Sequence, residues 1–320
     1  MMKSNPLFST VPHPPIVITP DGGTGLAAFG DYLEREREAL QQSLWRHGGI
    51  LFRGFEVRNA DDFKACTERL GAQSFNYVGG NSPRTRVSPD VYTSTEYPAT
   101  ETITLHNEMS YLPEWPSRLF FYSQIPAASG GQTSLAHGID VLKAAPAHVI
   151  DRLRSKKVKY IRNFHAGIPL GKSWQVTYQT ESRDDVENIV AAQGSTCEWR
   201  DDGGLRVSTI CDAFTAHPST GEEVWFNQVE QWHRSALNPM LREMFEKMVG
   251  KGNMPHECEY GDGEPLIDED MAAVRKAMND NKLLFDWQHG DLLVIDNLLL
   301  MHGREPFKGE RKTLAYLSAN

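Results

Sequence analysis

The sequence predicts a mainly β protein, a sandwich or barrel with helices inserted around it. Three observations carry that expectation. From about Thr102 onward, short runs rich in β-branched and aromatic residues alternate with turn residues. Helical periodicity is confined to a few segments lying before or between those runs. No repeat, low-complexity tract or Gly/Ser/Pro linker divides the 320 residues into independent halves. The expectation is a single domain over 26–320 behind an N-terminal extension over 1–25.

The first third is mixed. Asp31 to Trp45 places Leu33, Ala39, Leu40 and Leu44 close to a helical stripe, and Gly48-Gly49 ends it. A strand from Ile50 to Phe55 should follow. Asn59 is a candidate N-cap for a helix from Ala60 to Leu70, with Gly71 just past its end. Further on, candidate strands are Arg118 to Ser123, Thr133 to Ala136, Val158 to Phe164, Leu205 to Ile210, Val224 to Gln228, Leu292 to Ile295 and Thr313 to Ser318. Helical patterns from Ala236 to Val249 and from Asp268 to Met278 interrupt them.

Composition narrows the function. With 33 Lys+Arg against 42 Asp+Glu, the formal charge of −9 repels a phosphate backbone, so nucleic acid is not an expected partner. The longest apolar stretch, Leu292 to Met301, is broken by Asp296 and Asn297 and falls far short of the roughly 20 residues of a membrane span. No membrane partner is expected. The opening MMKSNPLFSTVPHPP lacks the apolar region of a secretory signal, which makes the cytoplasm the expected location. Cys66, Cys197, Cys211 and Cys258 contain no CxxC pair and read as reduced thiols.

Two imidazoles and a carboxylate can bind iron(II) on one face and leave the opposite positions open. Given 11 histidines and 42 acids in 320 residues, about 1.4 His-x-Asp/Glu triplets are expected by accident. There are two, His106-Asn107-Glu108 and His289-Gly290-Asp291, so spacing alone does not choose. His106 and Glu108, at the end of Ile103-Thr-Leu, would point to one side if the strand continued through them. Gly290 and Asp291 are turn formers, and that triplet reads as the turn before the strand from Leu292. His302 can join the first pair only if a barrel brings together residues 196 positions apart. Arg304 and Arg311 follow it, and an arginine fork matches a carboxylate. His217 and His233 read as hydrogen-bonded scaffold. His256-Glu257-Cys258 lacks partners at zinc spacing.

These residues carry a family resemblance. The run Asp296-Asn-Leu-Leu-Leu-Met-His302-Gly-Arg-Glu-Pro-Phe-Lys-Gly-Glu-Arg311 resembles the distal-histidine segment of the iron(II)/2-oxoglutarate oxygenases of the taurine dioxygenase and clavaminate synthase group. Leu105-His106-Asn-Glu108-Met-Ser-Tyr111 resembles their HxD/E motif, and Gly130-Gly-Gln-Thr133-Ser-Leu-Ala their co-substrate threonine segment. Similar stretches include Tyr77-Val-Gly-Gly-Asn-Ser-Pro-Arg84, Tyr92 to Tyr97, His217-Pro-Ser-Thr-Gly-Glu and Val224 to Gln228, so the likeness runs from about residue 26. The nearest subgroup it resembles is the syringomycin-type amino-acid hydroxylases.

The resemblance implies a double-stranded β-helix, the jelly roll of clavaminate synthase-like enzymes. It implies iron ligands His106, Glu108 and His302, with Thr133 and Arg311 on the distal carboxylate of 2-oxoglutarate. O2 would be the other co-substrate. One departure stands out: relatives often carry a further arginine four residues after the position of Arg311, where this chain has Ala315. The implied reaction hydroxylates an unactivated C–H of an amino acid or amino-acid-derived acid, free or carrier-protein-bound, in secondary metabolism; desaturation or epoxidation is the variant outcome. Halogenating relatives replace the carboxylate ligand by a small residue, and Glu108 is retained here. Asn76, Asn81, Arg84, Tyr111, Asn227 and Gln228 have the polarity to hold such a substrate or to satisfy buried backbone groups. Two rivals remain at this level. One is a non-catalytic sensor that binds metal and 2-oxoglutarate, and the other is a zinc hydrolase using the same His/Glu/His set, which has no use for Thr133 or Arg311.

Overall fold

Most of the candidate strands fall into two facing sheets, while Val158–Phe164 and Leu205–Cys211 belong to a third, four-stranded sheet with Thr196–Trp199 and His256–Tyr260. The structure is a computed structural model that describes residues 2–9, 11–22, 25–82, 84–168 and 170–319. Among them, one eight-stranded sheet has the order Met2–Pro6, Ile16–Pro20, Gly49–Phe52, Leu292–Asp296, Arg118–Ile125, Lys312–Ser318, Val91–Thr93, Arg86–Ser88. A four-stranded sheet has the order Leu283–Phe285, Thr133–His137, Leu300–Arg304, Ile103–His106. The inner faces share a core that includes Leu51, Phe121 and Leu293 from the first sheet and Leu135, Phe285 and Leu300 from the second. This is the double-stranded β-helix, with helices outside it as the sequence implies.

Each outer face is covered by helices. Leu26–Arg35, Arg37–His47 and Ala60–Arg69 pack on the large sheet through Phe29, Leu33, Leu44 and Phe63. Gly138–Ala144, Ala147–Lys156 and Asp268–Asp280 pack behind the small sheet through Val141, Val149 and Val274. Asn59 caps as expected, its side chain accepting from the amides of Asp61 and Asp62 at 2.9 Å each.

Several expectations are corrected. Residues 2–20, expected as an extension ahead of the domain, supply two strands to the large sheet, Ile16–Pro20 running parallel to Gly49–Phe52. The helix expected from Asp31 to Trp45 is two helices that change direction at Glu36. The strand expected from Val224 to Gln228 stops at Trp225, and the helix Val229–Trp232 starts soon after. The helix expected from Ala236 starts at Pro239, where Asn238 caps it and proline fits the first turn.

Register positions the site. His302 pairs directly with His106 across the small sheet, with an irregularity before Arg304. On its other side Leu300–Arg304 pairs with Thr133–His137, Arg304 opposite Thr133. This strand is hemmed in on both sides: a Cβ on Gly303 would stand 2.5 Å from Ile103 O and 2.5 Å from Ser134 Oγ. Gly303→Ala is therefore expected to destabilise by about 1–3 kcal/mol, read as a lowered urea midpoint.

His137, at the end of its strand, is buried, accepts from the Ile139 amide and stacks on His13 at 4.6 Å. Burial, then the neighbouring His13, pushes its pKa down to about 4. An unfolded chain protonates this imidazole near pH 6.5, so between those values the unfolded state holds more protons and stability falls as pH falls. The loss should approach about 3 kcal/mol by pH 4, and denaturant titrations of His137→Asn should show a shallower fall.

Candidate active site

His106 closes the strand Ile103–His106, and its Nδ1 donates to Thr104 O at 2.8 Å, which leaves the Nε2 lone pair free. The His302 ring lies 4.3 Å from it, centroid to centroid, with Phe121 packed 5.3 Å from His302. Burial lowers the pKa of His106 against the pull of Glu108, and burial lowers that of His302 well below the usual imidazole value. Both rings are thus neutral, the form that binds metal.

Glu108 joins them by a different route from strand alternation. The strand ends at His106, and Glu108 lies in a turn whose next residue, Met109, takes a left-handed φ of 58°. Asn297 pins that turn: its Oδ1 accepts from the Glu108 amide at 2.8 Å, and its Nδ2 donates to Glu108 O at 2.9 Å. The carboxylate accepts from the Tyr77 hydroxyl at 3.0 Å on one oxygen and from Arg84 Nη2 at 2.7 Å on the other. Burial, and next Glu108, pushes the Tyr77 phenol up to about 12, so it stays a donor.

The donor atoms of His106, Glu108 and His302 lie within 4.8 Å of one another, all three residues buried. The set fits iron(II): two neutral imidazoles and one carboxylate, with His302 Nδ1 buried and unpartnered among the described residues. His13, His137 and Asp140 form a second such group. Their donors are engaged locally, His13 with Asp140 at 3.2 Å and His137 with the Ile139 amide.

A narrow chamber beside the triad is lined by His106, His302, Arg84, Thr133, Arg304 and Arg311, among others. Thr133 is buried, and its Oγ1 accepts from Trp287 Nε1 at 2.9 Å. No carboxylate pairs with Arg311 among the described residues; its guanidinium rests 5.7 Å from the Phe307 ring. Burial, then Arg304, pushes its pKa down to about 10, as expected for an enclosed cation lacking an anion. Arg304 is a strap: its Nη atoms donate to the carbonyls of Tyr97, Pro98 and Glu101 at 2.7–3.0 Å.

A larger cavity of about 310 Å³ opens on the other side and shares Thr95, Ile103 and His106 with the chamber. Asn81, Tyr111 and Gln228 line it, as the sequence suggested, whereas Asn76 lines neither space. Gln228 spends both ends on structure, donating to Asn107 O and accepting from Trp232 Nε1. Asn227 does the same with Ala213 O and the Val229 amide. His217 bonds Asp296 and His233 bonds Ser235, both as scaffold. His289 meets Gln124 O, and Asp291 pairs with Arg53. His256 packs at a tilt against Trp232 and lines the cavity, while Cys258 Sγ contacts Val229 O.

Tyr77, Asn297 and Phe121 were not singled out by sequence reasoning. For Asn297 a signal existed: a polar pair embedded in the longest apolar run needs a buried partner. Nothing local marks Tyr77 or Phe121 as neighbours of the triad.

No described helix is long and apolar enough to cross a membrane. The family model "Taurine catabolism dioxygenase TauD, TfdA family" matches residues 10–317. The dapdiamide synthesis protein DdaC of Enterobacter agglomerans is 34% identical over 306 residues, 96% of this chain and 91% of that protein. A clavaminate synthase-like protein of Arabidopsis thaliana is 31% identical over 319 residues, 97% of this chain and 93% of its own. In fold, the chain is similar to the PvcB protein from Pseudomonas aeruginosa, with a TM-score of 0.56 at 15% identity, covering 99% of this chain and 91% of that one. The chain belongs to the TauD/TfdA dioxygenase family and is an iron(II)- and 2-oxoglutarate-dependent dioxygenase.

Proposed function

We propose that His106, Glu108 and His302 hold the iron, that Thr133 and Arg311 hold the distal carboxylate of 2-oxoglutarate, and that the enzyme hydroxylates a C–H of an amino acid or amino-acid-derived acid, free or carrier-bound. One observation carries the reading. A half-buried arginine, Arg311, with no carboxylate partner among the described residues lines a narrow chamber together with His106 and His302. A zinc hydrolase would leave that cation unexplained, because water on zinc needs no dicarboxylate beside it.

The division of work follows from the side chains. The two neutral imidazoles and the carboxylate present one face to the metal, and Tyr77 and Arg84 keep the carboxylate from rotating. Arg311 and the Thr133 hydroxyl fix one end of the co-substrate, so its other end is directed toward the triad. Iron(II), when bound, supplies the activation of dioxygen that side chains cannot, with 2-oxoglutarate giving up electrons as it is converted to succinate and CO2. His106 and Glu108 also line the larger cavity, so a substrate held there lies next to the metal ligands. Its walls combine Trp232, Tyr97, Tyr111 and Leu237 with Gln231 and Asn81, a mixture suited to a small polar molecule with an aliphatic part. The name of the Enterobacter relative, a dapdiamide synthesis protein, supports a biosynthetic role.

An anaerobic titration with iron(II) and 2-oxoglutarate should develop a metal-to-ligand charge-transfer band, and His106→Ala should lose it. With substrate and O2, succinate should form in step with product; release no faster than without substrate would identify a sensor. Arg311→Met should raise the 2-oxoglutarate half-saturation by about 30-fold or more with little change in iron affinity. Equal loss of both would place the anchor elsewhere.

A further inference from the structure

We propose that Arg84 is a second anchor for the co-substrate, gripping the carboxylate at its keto end while Arg311 grips the far one. This rests on the iron and 2-oxoglutarate site proposed above. Arg84 lies just ahead of the edge strand Arg86–Ser88, yet its side chain is only 5% exposed. Nη2 donates to Glu108 at 2.7 Å, whereas Nε and Nη1 are buried with no hydrogen-bond partner among the described residues. The guanidinium stands 5.0 Å from the Tyr77 ring, which helps hold its plane in place. Buried donors without partners are rare, and two on one guanidinium mark a place for an acceptor.

Three features point to the keto-acid carboxylate as that acceptor. Arg84 lines the narrow chamber with Arg311, Thr133 and both histidines, and is absent from the described lining of the larger cavity. It also touches Glu108, so it stands at the triad end of that chamber. Finally, Ala315 leaves a basic residue missing. It lies four positions after Arg311; Arg311, just ahead of the strand, and Thr313 line the chamber, while Ala315 packs into the core between the sheets. Ala315 itself is 1% exposed and pairs in register with Phe121. Of the three arginines lining the chamber, Arg304 is already committed to backbone carbonyls and Arg311 is assigned to the distal carboxylate, which leaves Arg84 for the carboxylate beside the iron. Arg84 brings its charge in from the segment just ahead of Arg86–Ser88, two strands away from Lys312–Ser318 in the large sheet.

Isothermal titration calorimetry on the iron-loaded chain without oxygen tests this, using 2-oxoglutarate and 4-oxobutanoate, which keeps only the distal carboxylate. Arg84→Gln should weaken 2-oxoglutarate by about 30-fold or more while 4-oxobutanoate and iron(II) affinities stay within about threefold of wild type. Arg311→Gln should weaken both acids, and Arg84→Lys should recover part of the loss because it restores charge without the fork. Unchanged 2-oxoglutarate affinity in Arg84→Gln overturns the proposal. An equal loss of iron affinity also overturns it, because Arg84 would then act only on Glu108, as does an equal loss of 4-oxobutanoate, which would mean the chamber had collapsed. If wild type itself binds no 2-oxoglutarate, the site reading fails before the question of Arg84 arises.

Discussion

The pairing of Leu300–Arg304 with Ile103–His106 is the constraint on which the site depends. It sets two imidazoles side by side on one sheet, their rings tilted by 42°, although the chain between them runs through most of the fold. Hydrogen bonds along the ladder fix which residues are opposite, and a slip of one residue would send His302 to the outer face. On the other side the same strand is locked against Thr133–His137, which places Thr133 opposite Arg304. A single central strand thus fixes His302 relative to both His106 and Thr133. The absence of a side chain at Gly303 is what lets the neighbouring backbone and Ser134 come so close.

Electrostatics adds a second condition. The triad and its chamber enclose Glu108 with Arg84, Arg304 and Arg311, so cations outnumber the carboxylate before any ligand arrives. Desolvated charge is costly unless paired. The arrangement is therefore most stable when it receives a cation at the imidazoles and anions at the arginines together. Neutral histidines serve the same end, since protonated rings would add charge where the fold already holds an excess. Stability spent on this unpaired state is recovered on binding, which is how a preorganised site gains affinity.

Much of this was legible in the chain. The fold class followed from short β-rich runs set between turn residues, because strand propensity and turn chemistry are local properties. The proposed ligands and co-substrate residues came from motif resemblance; composition alone expected about as many His-x-acid triplets as occur. What the sequence concealed were contacts whose partners are remote. Tyr77 and Arg84 reach Glu108 from 31 and 24 residues away, and Asn297 from 189. The N-terminal strands were hidden for a similar reason: MKSNP has no alternation of its own, and its burial pattern shows it is an outermost, mostly exposed edge. Its place is determined by the next strand, not by its own residues.

The common wall of Thr95, Ile103 and His106 has a chemical consequence. The narrow chamber is cationic and the larger cavity is neutral apart from Glu108, so the two spaces select different molecules. A dicarboxylate gains most from the arginines. In the larger cavity it would face Trp232, Leu237 and an imidazole, His256, whose pKa is pushed down to about 4 by burial and then by Arg162. A neutral or singly charged substrate loses less there. On the proposed assignment, segregating charge in this way would keep the co-substrate out of the substrate's place, and His106, present in both linings, is where the two spaces meet.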